Sequence, residues 1–297
     1  MADTAKPMAD MPPDPRAPQN PVPQGACDTH VHIVTASGEF PLWENRVEDP
    51  VHGVTFEEWL DLYRAHLSAL GCTRGVIVHS ILHGTENAVT FEAVRRLGDG
   101  FRGVGLLPDG ATEAQMDDFV ARSMSAVRLN YVHGGVLTWD GARAMAPALA
   151  ERGLHIQMLA HSDRHLEQIA DDVRYLPTDV VFDHIGWPAD GLSADTPGFQ
   201  SLCALLAEGR AWVKLSAVYR MCPAPYDRTD ALVAALIAAN PERCLWGSDW
   251  PYLMLADAAM PASAAALLDA LDRVVPDAAT RQRILVDNPA LLFGFDN

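Results

Sequence analysis

The amino-acid sequence predicts an α/β protein folded as a single (β/α)8 TIM barrel, and three observations predict it. Short apolar runs suited to buried strands alternate with stretches of helical period over the whole chain after residue 24. Eight such runs can be counted, the number a closed barrel requires. The chain has 297 residues, and a barrel of this kind takes about 250. An open, doubly wound sheet is the alternative that periodicity alone leaves open.

The first 24 residues hold seven prolines and almost no large apolar side chains. They read as a disordered or extended arm, because so little burial cannot offset the entropy of ordering. The barrel is expected over residues 25–297. Its strand candidates are Ala26–Ile33, Gly75–His79, Phe101–Leu107, Ala126–Asn130, Leu154–Leu159, Val180–Asp183, Trp212–Ser216 and Cys244–Ser248. The helical stretches between them include Thr55–Leu70, Glu86–Leu97, Thr112–Ser123, Trp139–Glu151, Thr196–Glu208 and Asp230–Ala239. Pro261–Val274 and Ala278–Leu292 close the chain as helices. The long helix-free segment Gly38–Thr55 follows the first strand and is expected to fold over the barrel mouth.

Composition narrows the partners. With 22 basic and 39 acidic residues the net charge is −17, which repels nucleic acid and anionic membrane surfaces. The longest apolar run, Leu232–Ala239, is far short of the roughly 20 residues that span a membrane. The N-terminus lacks a signal-peptide core. The five cysteines include no C-x-x-C pair, so reduced thiols in a cytoplasmic protein are expected. No feature fixes an oligomeric state.

Active sites of such barrels sit where the strands end. His30 and His32 are two apart at the end of the first strand and therefore point the same way. They can ligate a metal, hydrogen-bond a carbonyl or merely tie down a strand end. His184 ends the sixth strand, where a lone histidine often serves the backbone. Asp249 ends the eighth, placed for a general base, a metal ligand or a helix cap. Together they converge on one end of one barrel, as a catalytic site requires.

The segments Asp28-Thr29-His30-Val31-His32, Asp183-His184-Ile185-Gly186, Lys214-Leu215-Ser216 and Trp246-Gly247-Ser248-Asp249-Trp250-Pro251 resemble the amidohydrolase superfamily, and within it the amidohydrolase-related group. The chain is most similar there to sugar lactonases and 2-pyrone-4,6-dicarboxylate lactonases. That resemblance implies a hydrolase opening a carboxylated lactone in aromatic or sugar-acid catabolism. It implies Asp249 as the base that deprotonates water, with His30, His32 and His184 polarising the carbonyl. Arg128 and Arg220 resemble arginines that hold substrate carboxylates, a task suited to the planar guanidinium fork. Ser80 and Asn130 are further substrate contacts at strand ends. A zinc-dependent hydrolase or decarboxylase, or a lactone isomerase, is the alternative activity.

Metal-dependent relatives in this superfamily add a Lys or Glu on the fourth strand or a His on the fifth. Here the fourth strand reads Ala126-Val127-Arg128-Leu129-Asn130, and the fifth carries Gln157, a poor zinc ligand, with His155 at the wrong end. His161, just past the fifth strand, is the remaining candidate. The expectation is therefore no metal cofactor, with Zn2+ on His30, His32 and Asp249 as the alternative. His79, His83 and His133 also lie near strand ends and read as loop residues.

Overall fold

A computed structural model describes residues 6–295 of the chain. Residues 1–5 of the expected arm lie outside that range. The strands are β1 (Cys27–Val31), β2 (Arg74–Val78), β3 (Phe101–Gly105), β4 (Met124–Asn130), β5 (His155–Leu159), β6 (Val180–Phe182), β7 (Ala211–Leu215) and β8 (Cys244–Trp246). They pair in parallel in sequence order. The ring closes where β8 returns to β1. Val31 bridges Trp250, Asp249 N–H donates to His30 O at 2.8 Å, and His32 N–H donates to Trp250 O at 2.8 Å. Gly247 permits this approach, since a Cβ there would lie 2.7 Å from the His30 backbone nitrogen.

A buried carboxylate sews the same seam. Asp28 Oδ1 accepts from Ser248 N–H at 2.8 Å, and Oδ2 accepts from the Ser248 hydroxyl at 2.6 Å. Nε2 of His66, on the first helix, lies 3.2 Å from the same Oδ2.

The helices are α1 (Phe56–Leu70), α2 (Ala88–Leu97), α3 (Glu113–Ala121), α4 (Trp139–Glu151), α5 (Ser162–Tyr175), α6 (Pro197–Ala207), α7 (Asp230–Ala239) and α8 (Ala264–Asp272). Local chemistry starts them: Thr55 opens α1 and Thr112 opens α3, each through a reciprocal capping box, with Glu58 and Gln115. The expected elements are recovered with ends shifted by a few residues. Helix α5, between the fifth and sixth strands, is not among the helical stretches expected from the sequence. Its buried residues Leu166, Ile169, Ala170 and Val173 have helical spacing, but the segment around them is strongly polar. The last expected helix is split into α9 (Ala278–Gln282), a π-turn over Arg283–Asp287 and α10 (Asn288–Phe293).

The barrel interior is filled from below by Val76, Val104, Ala126, Val181, Trp212 and Leu245, with Phe293 and Phe295 as the plug. Cys27 belongs to this apolar cluster, although His30, three residues on, faces the mouth. Strict alternation would set them on opposite sides. A register break between Asp28 and Val31 reconciles the two.

The segment Gly38–Thr55 packs on the loops after β2 and β8. Trp43 N–H donates to Leu82 O at 2.8 Å, His83 Nδ1 donates to Pro41 O at 2.8 Å, and Met254 N–H donates to Glu48 Oε2 at 2.8 Å. The proline-rich arm runs along this lid and then down the barrel wall. Asp49 exchanges backbone hydrogen bonds with Pro7 and Ala9 at 2.8 Å each, and Gln19 N–H donates to Asp269 at 2.8 Å. No helix among the described residues is long and apolar enough to cross a membrane.

Candidate active site

His30 on β1 and His32 just past its end are buried at the barrel mouth, their rings 5.1 Å apart and nearly perpendicular. Each is held from behind. Nδ1 of His32 donates to Val78 O at 2.7 Å. Nδ1 of His30 lies 3.2 Å from Asp183 Oδ1. Their Nε2 atoms then converge on one oxygen: Asp249 Oδ1 is 3.5 Å from His32 and 3.7 Å from His30.

Asp249 stands where β8 meets β1, with a left-handed φ of 62°. A non-glycine residue in that conformation stores of the order of 1 kcal/mol or more and persists only where its surroundings impose it. Its two oxygens differ. Oδ2 accepts from the Tyr219 hydroxyl at 2.6 Å and from Arg220 Nε at 2.9 Å. Oδ1 has no hydrogen-bond donor among the described residues. Burial alone would raise the Asp249 pKa, but Arg220, His184, His32 and His30 together hold it well below the usual carboxylate range. Burial keeps the Tyr219 phenol protonated, hence a donor.

His184 lies in the turn after β6, also left-handed, with φ 57°. Its Nδ1 is 2.9 Å from Ser216 Oγ, and its ring centroid is 4.8 Å from that of His30. Burial brings its pKa down to about 4, so the ring is neutral at neutral pH.

The other expected site residues separate into two groups. Arg128 points into the barrel beneath the mouth. One guanidinium nitrogen donates to His79 O, while its Nε is buried without a partner. Arg220 is fully engaged: besides Asp249 it donates to Leu253 O at 2.8 Å and Met254 O at 3.1 Å. Ser80 caps a short turn, accepting from Leu82 N–H at 3.3 Å. Asn130 accepts from His133 N–H at 2.9 Å. His79, His83 and His161 each hydrogen-bond loop carbonyls. His155 sits far down the barrel against Phe293.

A buried polar column under the histidines went unassigned in the sequence reading. Lys214 Nζ donates to Thr29 O and to Gln157 Oε1, both at 2.6 Å. Gln157 Nε2 donates to Asp183 Oδ2 at 3.2 Å. Its signal was present as Gln157, Lys214 and Ser216 at inward positions of otherwise apolar strands, an arrangement too costly to leave unpaired. Tyr219 carried no such signal, because its role depends on a turn that aims it at Asp249.

The donor set also fits one divalent ion. His30, His32 and Asp249 offer ligand atoms within 4.8 Å of one another, as do His30, Asp183 and His184. The rear hydrogen bond on His32 and the Asp183 contact on His30 are the kind of support that metal-bound imidazoles have.

The amidohydrolase family model matches residues 27–295. The chain belongs to the amidohydrolase family. Among its relatives is a 4-sulfomuconolactone hydrolase of Rhizobium radiobacter, 33% identical over 278 residues, covering 92% of this chain and 91% of that one. A 2-pyrone-4,6-dicarboxylate hydrolase of Comamonas testosteroni is 28% identical, covering 94% and 93%. A solved protein from Agrobacterium tumefaciens superposes with a TM-score of 0.80 at 25% identity, covering 95% and 98%. The fold and family expected from the sequence are thus those observed.

Proposed function

We propose that this amidohydrolase opens the ring of a small anionic lactone by adding water to its carbonyl, without a metal ion. The observation that carries the reading is the asymmetry of Asp249: Oδ2 is fixed by Tyr219 and Arg220, and Oδ1 faces His30 and His32 with no donor of its own. A water placed there loses a proton to Oδ1 as its oxygen bonds to the carbonyl carbon. The carbonyl electrons move onto oxygen, where site N–H groups meet the charge. Collapse of that intermediate breaks the ring C–O bond, and the departing oxygen takes the proton back. A carboxylate as acidic as Asp249 is a weak base, which suits an activated ester better than an amide.

The relatives' names include a sulfonated and a dicarboxylated lactone, and an anionic group on the substrate fits Arg128. Its Nε is buried and has no hydrogen-bond partner among the described residues, whereas each guanidinium nitrogen of Arg220 has one. Arg220 therefore supports the base rather than a substrate carboxylate in this reading. The five thiols are free, which suits the reducing cytoplasm, where we place the enzyme in the breakdown of aromatic or sugar acids.

The convergence of His30, His32 and Asp249 favours a second reading, with zinc on those three residues polarising the carbonyl and acidifying water. Two fixed guanidinium charges near the same carboxylate, with Arg128 on β4 where a Lys or Glu ligand is otherwise expected, weigh against it. Two measurements test the proposal. Hydrolysis of at least one member of a panel of pyrone, muconolactone and aldonolactone acids is expected, with the open hydroxy acid or its keto form as product. No hydrolysis of any would overturn it, and ring isomers as products would make the enzyme an isomerase. Elemental analysis is expected to show no stoichiometric zinc, and activity is expected to survive chelation.

A further inference from the structure

The three mouth histidines look equivalent in sequence, but their rear partners are not. Lysine only donates, so Lys214 Nζ must meet the oxygen of the Gln157 amide, as it does at 2.6 Å. That leaves the Gln157 NH2 turned to Asp183 Oδ2. Asp183 Oδ1, which has no other donor among the described residues, then faces His30 Nδ1 at 3.2 Å. A carboxylate only accepts, so the ring proton belongs on Nδ1, and Nε2 turns a lone pair to the mouth. Asp249 Oδ1, on the other side of the ring, is more distant at 3.7 Å.

Ser216, two residues beyond Lys214 and just past the end of β7, sets the opposite pattern. Its hydroxyl can donate as well as accept, and among the described residues its hydrogen bond is to His184 Nδ1. The negative charges of Asp249 and Asp183 act on this ring more strongly than the positive charges of Arg220 and Arg128. With Nδ1 taken by Ser216, a lone pair on the other ring nitrogen is disfavoured in that net negative field, whereas a proton there is attracted. The hydroxyl therefore donates to Nδ1, and the proton sits on Nε2.

We propose that Lys214 and Ser216 are positioning residues that impose opposite tautomers on two histidines of one site. His30 is an acceptor toward the mouth and, with Asp249, receives the attacking water. His184 is the donor that binds the carbonyl oxygen. The tautomer assignment rests on this structure alone. The assignment of acceptor to water and donor to carbonyl rests on the lactonase reading.

The test is 15N spectroscopy of histidine-labelled enzyme without substrate, with His30 and His184 identified by their loss in His30→Asn and His184→Asn variants. Wild-type protein is expected to show His30 protonated at Nδ1 and His184 at Nε2. The same tautomer on both rings, or the reversed pair, overturns the proposal. Ser216→Ala is expected to mix the His184 tautomers and to lower kcat about tenfold with KM within about threefold, while Ser216→Thr restores both. An unchanged His184 spectrum in Ser216→Ala removes Ser216 from the role. Gln157→Glu keeps the size but takes the donor from Asp183, and avoids the folding risk of removing Lys214. It is expected to disturb the His30 signal and leave that of His184 in place. An undisturbed His30 signal there overturns the Lys214 branch. If no lactone is hydrolysed, the spectra still decide the tautomers, so the two failures are distinct.

Discussion

The lower and upper halves of the barrel use the same eight strands for opposite ends. Below, Val76, Val104, Ala126, Val181, Trp212 and Leu245 pack with Phe293 and Phe295, and the interior is apolar apart from His155. Above, Gln157, Asp183, Lys214 and the histidines form a polar column ending at Asp249. On β7 the change takes two residues, from Trp212 to Lys214. The comparison teaches that stability and chemistry are divided along the strand axis, so substitutions a few ångströms apart should fail in different ways.

The largest effect is expected below. Phe293→Ala should cost about 3–5 kcal/mol of folding stability, read as a loss in chemical denaturation, with residual folded enzyme keeping its KM. Above, Asp249→Asn should fold normally and lose at least about a hundredfold in turnover, and near-normal turnover would remove Asp249 from the role of base. Arg128→Leu should raise KM for an anionic lactone by about tenfold or more, reflecting a lost charge-assisted hydrogen bond, and spare an uncharged one. Equal loss for both substrates would place Arg128 outside anion binding.

A pH-dependent effect uses a histidine from each half. Burial pushes His155 down to about 3 and His184 to about 4. An unfolded chain protonates histidine near 6.5, so below that pH the unfolded state binds protons that the folded state refuses. Each residue's contribution is therefore complete above about pH 6.5 and falls by about 1.4 kcal/mol per pH unit on acidification toward its folded pKa. His155→Leu should flatten the pH dependence of thermal melting between pH 4 and 6 without altering turnover. His184→Gln should flatten it too, but abolish activity. If both left turnover intact, the two halves would not be separable at this site.

Much of this division was legible in the sequence. Alternation of apolar runs locates every strand, and strand-end position singles out His30, His32, His184 and Asp249. What was not legible depends on contacts made by chain folding. Helix α5 hid because its exposed face is so polar that only four apolar positions carry its period. The contacts of Arg220 with Asp249, Leu253 and Met254 join residues some 30 positions apart, which no local pattern marks. Ser216 reads as strand filler until His184, 32 residues away, arrives beside it.

The seam between the first and last strands has a consequence for how the protein is made. Asp28 meets Ser248 across 220 residues of chain, and His30 meets Asp249 only through that closure. During synthesis Asp249 does not stand beside those histidines until the final strand has left the ribosome. Contacts of such long sequence separation form late and slowly. The appearance of activity therefore reports the last step of ring closure, and a chain halted before residue 249 is silent however much of its barrel has assembled.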